Sequence, residues 1–286
     1  MQSFNRLFAV IAIVIAGAAA EISAGEIKSL RALLITGGCC HDYARQKDIL
    51  KKGLEERANI IVDQIHTEIP AGASATKPPL PIYRNADYAK GYDVVIHDEC
   101  AADVSDPSII QDVLAPHRTG IPGVNLHCAM HSYRIGDPKE AATVGSERAL
   151  WFEYLGLQSS GHGPQLPIAI QFASQKGPHP ATQGLGDWTT GNEELYNNIQ
   201  VLAKATPLAR GRQTVTNKEG PAKENDFVVV WVNEYRGARV FSTTLGHNNG
   251  TVADPRYLDL VMRGVLWACG KLDEHGHIQS GYGPKR

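Results

Sequence analysis

The sequence has no long run of like charge. Its 28 basic and 30 acidic side chains leave a formal net charge of -2 with histidine neutral, so the electrostatic footprint of a nucleic-acid-binding protein is missing. Nor is there an apolar run of the roughly 20 residues that span a bilayer. The longest, from Leu7 to Ile15, ends among small residues. No internal repeat and no linker divides the chain, which reads as one domain. Five cysteines in 286 residues are too sparse for a disulfide framework and leave at least one thiol unpaired. Adjacent Cys39 and Cys40 are not expected to bond each other, because the geometry of neighbouring residues opposes it, so a bridge should join one of them to a distant partner. Cys269, in an apolar helix, is expected to be a buried free thiol.

What is present is an ordinary globular composition, 43% hydrophobic and 20% charged, with enough apolar residues for a full core. Arg6, the apolar run after it, and the small residues of Ala18-Ala19-Ala20 or Ile22-Ser23-Ala24 form the three parts of a cleavable signal peptide over residues 1–24. The mature protein is therefore expected to be exported, periplasmic or extracellular. Residues 25–30 read as a short linker, 31–270 as the domain, and 271–286, with His275 and His277, as a flexible tail.

Arg31 to Thr36 reads as a strand, Arg45 to Arg57 as a helix, Asn59 to Ile65 as a second strand, and Pro70 to Pro81 as an exposed loop. Tyr92 to Glu99 is a third strand. Asp106-Pro107 starts a helix that stops before Gly120. In the stretch that opens with Gly120-Ile121-Pro122-Gly123, the short apolar run bounded by Gly and Pro and ending at Leu126 reads as a buried strand, and a helix follows Ser146, closed by Gly156. Gly161-His162-Gly163-Pro164 reads as a turn before a strand from Ile168 to Phe172, and His179 to Tyr196 as a loop. Strands from Asn198 to Leu202, Phe227 to Val232 and Arg239 to Thr244 come close together, which argues for an antiparallel extension at the C-terminal side. Asp254-Pro255 opens the last helix, which stops at Gly270. The alternation of strand and helix predicts an α/β fold of flavodoxin-like type, a mostly parallel sheet with helices on both faces.

Parallel strands share one direction, so the turns after Thr36, Ile96 and Leu126 should lie along one edge, where open α/β sheets bind ligands. That edge collects His41, Asp42, His97, Asp98, His127, Cys128 and His131. His97 and Asp98 are read as structural, and His66, His117, His275 and His277 as surface residues. Several imidazoles with a carboxylate suit zinc, iron or nickel, so His41, His127, His131 and His247 are candidate ligands of a divalent transition metal. Of Glu193 and Glu194, only one can face the site from an extended segment, and Glu194 is favoured.

Gly37-Gly38 with His41-Asp42, Leu126-His127, Glu193-Glu194-Leu195-Tyr196, Thr243-Thr244-Leu245-Gly246-His247 and Arg263-Gly264-Val265-Leu266-Trp267-Ala268 together resemble the trehalose-utilisation (ThuA-like) family over nearly all of residues 31–270. The resemblance implies a class I glutamine amidotransferase-like fold, a variant of the flavodoxin-like sheet. It also implies a carbohydrate substrate, trehalose-type or a 3-keto disaccharide or glycoside. On that reading His127 and His247 act as acid and base with Glu194 as base or orienting partner, and the reaction is hydrolysis, elimination or isomerisation. His41, Asp42, His131, His162, Trp188 and Tyr196 are the candidate sugar contacts. Two other readings stay open. One is a non-catalytic sugar-binding module. The other is a cysteine-dependent hydrolase with Cys128 where the amidotransferase branch places its nucleophile, although His247 is followed two residues on by Asn249 rather than the Glu of that branch. A small-molecule carbohydrate is the expected partner, and the sequence leaves a homo-oligomer open.

Overall fold

The computed structural model describes residues 27–172, 177–216 and 220–285; the signal peptide expected at residues 1–24 lies outside them. Strand β1 (Leu30–Gly38) is buried along almost its whole length. Ala32 and Leu34 enter one core cluster, while Leu33 and Ile35 enter another, as the two-residue alternation of a central parallel strand requires. Helix α1 (Tyr43–Glu55) turns Leu50 and Leu54 inward, and β2 (Ile60–Thr67) forms the edge, with Ile61 and Ile65 exposed. Strand β3 (Val94–Cys100) is wholly buried. Helix α2 (Pro107–Arg118) starts as expected, with Pro at its first turn and the Asp106 side chain accepting from the Ser108 amide. Strand β4 (Gly123–Leu126) runs directly into a short 3-10 helix, His127–His131.

Helix α3 (Leu150–Leu155) ends at Gly156, whose φ of 83° and whose missing Cβ, 2.7 Å from the Asn233 side chain, both call for glycine. Strands β5 (Leu157–Gln171), β6 (Trp188–Val201), β7 (Thr206–Val215) and β8 (Lys223–Tyr235) follow, then β9 (Ala238–Thr243), α4 (Asn249–Val252) and α5 (Pro255–Ala268). The Asp254 side chain caps α5 by accepting from the Arg256 amide.

Among the described residues the sheet has nine strands in the order β2-β1-β3-β4-β9-β8-β7-β5-β6. The pairings β1·β2, β1·β3, β3·β4 and β4·β9 are parallel; the remaining ones are antiparallel. This is a mixed α/β sheet with a mostly parallel core. The antiparallel part holds the strands expected around Asn198–Leu202, Phe227–Val232 and Arg239–Thr244, as β6, β8 and β9, and adds β5 and β7. The chain then turns through Arg236 and Gly237, both at positive φ, in the two-residue hairpin that such conformations favour. Strand β9 thereby pairs with β8 on one edge and lies parallel to β4 on the other.

Two local readings change. The Gly161–Pro164 segment is no turn but part of β5, where register shifts against β6 absorb the glycines and the proline. The segment read as a loop up to Tyr196 is β6 from Trp188 onward. His117 is buried, not a surface residue: its Nδ1 donates to the Ile121 carbonyl at 2.8 Å and its Nε2 lies 3.0 Å from Nε2 of His97. The stretch after α5 packs back on the domain through a Leu272–Ile278 bridge and hydrogen bonds from Asn59 to the Gly281 and Tyr282 region. Among the described residues, no helix is long and apolar enough to cross a membrane.

Candidate functional site

The carboxyl ends of β1, β4 and β9 are brought to one edge by their parallel pairing through β3, and each delivers one histidine. His41 lies in the turn between β1 and α1, His127 follows β4, and His247 follows β9. Their rings meet edge to face, with centroids 4.6 Å apart for His41–His127, 4.9 Å for His41–His247 and 5.5 Å for His127–His247. One nitrogen from each ring lies within 4.8 Å of the others.

The backbone sets the tautomers of two of them. His127 sits at φ 41°, a left-handed turn uncommon for a residue with a side chain. Its Nδ1 lies 2.6 Å from the Thr244 carbonyl, which can only accept, so Nδ1 carries a proton. That Nε2 is 3.3 Å from the Tyr196 hydroxyl and 3.5 Å from Oε2 of Glu194. By the same logic His41 Nδ1 donates to the His247 carbonyl at 3.1 Å.

Glu193 and Glu194 point apart, as neighbours on a strand must. Glu194 meets the imidazoles: Oε1 is 3.3 Å from Nδ1 of His247 and 3.6 Å from Nδ1 of His162, and Gln165 donates to it at 3.3 Å. Burial pulls the Glu194 carboxyl upward, but the hydrogen bond and charge of His127, then His162 and His247, outweigh it and hold it at about 2. Burial, then the neighbouring His127, pushes His41 down to about 3, and burial lowers His247 too, against the opposing pull of Glu194. Glu194 is therefore a negative charge in a desolvated pocket that it shares with the lowered imidazoles of His41 and His247. Glu193, fully buried, accepts instead from the backbone amides of Gly246 and His247, the latter at 2.9 Å, and so holds the loop that carries His247.

Above the cluster opens a cleft of about 480 Å³ lined by Cys40, His41, Asp42, Gln46, His247, Asn248 and Asn249, within the usual range for small-molecule sites. His127 and Glu194 are buried behind it. Asp42 is exposed at the rim and accepts from Asn249 Nδ2 at 2.7 Å, while Asn249 Oδ1 is buried without a partner. Gln46 donates to the His247 carbonyl at 3.2 Å.

The other expected site residues are placed elsewhere. His131 is outside the histidine trio: its ring stacks on Tyr196 at 3.9 Å and its Nε2 is 2.9 Å from the Ser159 hydroxyl. His162 is half-exposed near Glu194. Trp188 lies six residues from Glu194 along β6, about 20 Å away in an extended strand, with the Arg256 guanidinium over its ring. His97 and Asp98 are buried on opposite faces of β3, His97 against Glu99 and His117. Cys128 is bonded to Cys100, so it carries no free thiol, and Cys39 is bonded to Cys40. The latter corrects the expectation of a distant partner: Gly37, Gly38 and Cys40 all take positive φ, which folds the chain back and brings the two neighbouring side chains together. Cys269, at the end of α5, is the free thiol among the described residues. Gln46, Asn249 and the role of Glu193 were not foreseen; the only trace of them in the sequence is the polar run Asn248-Asn249 behind His247.

Fold and site together define an α/β protein whose parallel strand ends build a three-histidine, one-carboxylate pocket. The chain belongs to the ThuA family, described as trehalose utilisation, whose sequence profile matches residues 31–268. Among solved structures it is similar to a ThuA-like protein from Parabacteroides merdae, with 18% identity, TM-score 0.60, and coverage of 90% of this chain and 98% of the other. It is also similar to a ThuA-like protein from Bacteroides uniformis, with 15% identity, TM-score 0.58, and coverage of 89% and 98%. No curated protein matches the sequence.

Proposed function

We propose that this is an exported enzyme that acts on a carbohydrate of trehalose or 3-keto glycoside type at the His41–His127–His247–Glu194 cluster. The family supports a carbohydrate-related role, and the signal-like N-terminus supports export. The observation that carries the enzymatic reading is the Glu194 carboxylate set 3.3 to 3.6 Å from the imidazoles of His127, His162 and His247 beneath a cleft rimmed by amide and carboxylate groups that suit sugar hydroxyls. The alternation of β1 between two helix-covered cores supports the flavodoxin-like arrangement with helices on both faces.

For a 3-keto glycoside the chemistry is elimination. Neutral His247, which lines the cleft, takes the proton from the carbon between the carbonyl and the anomeric carbon. The C–H electron pair becomes the new C=C bond, and the glycosidic oxygen leaves with its bonding pair and takes the proton back from His247. Glu194 stabilises the transient imidazolium, and His127, pinned by the Thr244 carbonyl, keeps Glu194 in place.

A second, metal-assisted reading is favoured by the trio itself. With Nδ1–H of His41 and His127 donating to backbone carbonyls, Nε2 is the nitrogen that each would offer to a metal, and Nδ1 of His247, 3.3 Å from Glu194 Oε1, makes no hydrogen bond. A zinc, iron or nickel ion held by the three histidines would polarise the sugar carbonyl or a bound water. The test is conversion of a 3-keto disaccharide by the mature protein, with metal content measured alongside. Product formation abolished in His247→Ala sustains the proposal. Binding of the sugar without any conversion would establish the non-catalytic sugar-binding module instead. The bridge at Cys128 argues against the cysteine-dependent hydrolase.

A further inference from the structure

Beside the imidazoles lies a cluster that the proposed reaction does not use. Four of the five cysteines gather at the ends of β1, β3 and β4, with Tyr43 packed on Cys39, Cys100 and Cys128. They form two disulfides, Cys39–Cys40 and Cys100–Cys128, whose nearest sulfurs, those of Cys39 and Cys100, are 3.5 Å apart. Burial is graded along this path: Cys40 is exposed and lines the cleft, Cys39 is half-buried, and Cys100 and Cys128 are buried. The close approach is built into the backbone. Gly38 pairs in register with Cys100 at φ 96°, and a Cβ there would lie 1.9 Å from the Cys100 carbonyl oxygen, so only glycine lets the two strand ends come so near.

We propose that these four cysteines are a thiol–disulfide exchange site that takes electrons from an external dithiol at the cleft and passes them to the buried bridge. One thiolate of the dithiol attacks Sγ of Cys40; a mixed disulfide forms, the Cys39–Cys40 bond breaks, and Cys39 leaves as a thiolate. Cys39 then attacks Sγ of Cys100, forming a Cys39–Cys100 disulfide as the Cys100–Cys128 bond breaks, and Cys128 leaves with the electron pair and takes up a proton. The second thiol of the dithiol resolves the mixed disulfide and leaves Cys40 as a thiol. The dithiol is oxidised to its disulfide by two electrons, and the protein gains two thiols, at Cys40 and at Cys128. Access selects Cys40 as the entry point, and contact selects Cys100 as the acceptor. The outcome places a free thiol one residue from His127. This holds whether or not the pocket turns over a sugar, because its readout is sulfur connectivity.

The experiment uses the mature protein with all five cysteines. Cys269 is blocked first, the oxidised protein is treated with limiting dithiothreitol, the reaction is quenched in acid, new thiols are alkylated, and the cross-linked peptides are identified by mass spectrometry. The expected species has Cys40 and Cys128 alkylated and Cys39 joined to Cys100. In Cys39→Ser, whose folding is checked by circular dichroism, the Cys100–Cys128 bridge should survive the same dithiol at least about tenfold longer. Alkylation of Cys39 and Cys40 with Cys100–Cys128 intact would overturn the proposal, as would equal rates of loss of the buried bridge in the two proteins, or resistance of both bridges to excess dithiol.

Discussion

Asp98 and Glu99 are adjacent on β3, both buried, and pushed in opposite directions. Glu99 is surrounded by donors: its Oε1 accepts from the Tyr83 hydroxyl at 2.7 Å and the Tyr133 hydroxyl at 2.6 Å and lies 2.9 Å from His97 Nδ1. Burial acts to raise its carboxyl, but the charge of His97 and these hydrogen bonds prevail, and it titrates below its ordinary value. Asp98 points the other way, its Oδ2 has no partner, and burial, then the charge of Glu99, raises its carboxyl well above the ordinary value. The folded state thus binds a proton on Asp98 that the unfolded chain releases near pH 3.9. Stability from this group is fully present below that pH and is lost as pH rises toward the folded value, at about 1.4 kcal/mol per pH unit for one proton. Asp98→Asn imitates the protonated acid and cannot ionise. It should match the wild type within about 1 kcal/mol at pH 3.5 and exceed it by a margin that grows by about 1.4 kcal/mol per unit, roughly 3 kcal/mol after two units inside the window. Glu99→Gln should do the reverse: its lowered carboxyl stabilises above the unfolded value and loses that contribution as pH falls, so the variant is weaker at neutral pH by about 3 kcal/mol. Urea unfolding from pH 3.5 to 7.5, followed by circular dichroism without reductant, measures both. Parallel profiles for wild type and Asp98→Asn would refute the reasoning.

Four further outcomes follow from the same geometry. Glu194→Gln removes the charge that stabilises a protonated imidazole and should lower turnover by about 10²- to 10⁴-fold with a smaller change in KM, measured with a 3-keto glycoside. If the metal-assisted reading is right, protein purified without a metal-binding tag should contain one transition-metal ion per chain and a His127→Ala, His247→Ala double variant none; elemental analysis decides. Gly264→Ala would set a Cβ 2.4 Å from the Phe241 ring; the overpacking, typically about 1 to 3 kcal/mol, should exceed the roughly 1 kcal/mol that alanine adds to a helix, so the melting temperature should fall. Asp254→Ala deletes the cap on α5 and should cost about 1 kcal/mol in urea unfolding.

Where a signal is local the sequence announces the structure. Asp106-Pro107 and Asp254-Pro255 start helices because cap and proline act within one turn, and Gly156 stops α3 because its backbone needs a left-handed φ. Where long-range pairing decides, it misleads. Gly161-His162-Gly163-Pro164 has the chemistry of a turn, yet fourteen residues of β6 draw it into a bulged strand. His117 looks like a helix-surface residue because nothing nearby shows that His97 will meet it from β3. For the pocket, parallel topology alone is enough to place His41 and His127 on one edge, since it fixes where strands end. The task of Glu193 is invisible in the sequence because its partners are backbone amides, which every residue has. The Cys39–Cys40 bond is hidden because the geometry of neighbouring residues generally opposes one, and nothing local announces the left-handed Cys40.

The histidine and sulfur clusters follow from a single device used twice. At the end of β1 the chain reads Cys40-His41, and at the end of β4 it reads His127-Cys128. At the end of β4 the neighbouring side chains part, the Cys128 sulfur toward the apolar cluster under Tyr43 and the His127 imidazole toward the β6 carboxylate; at the end of β1 Cys39 joins that cluster while Cys40 lines the cleft beside His41. His127 is thereby held from two sides, by its own Nδ1–H to the Thr244 carbonyl and, one residue on, by the Cys100 bridge. Its left-handed backbone is a conformation that residues with a Cβ adopt only when their surroundings enforce it. Opening the Cys100–Cys128 bond would remove one of those restraints while leaving the other. The geometry of the imidazole that pins Glu194 is therefore coupled through the backbone to the state of the sulfurs, even though no sulfur needs to touch the substrate.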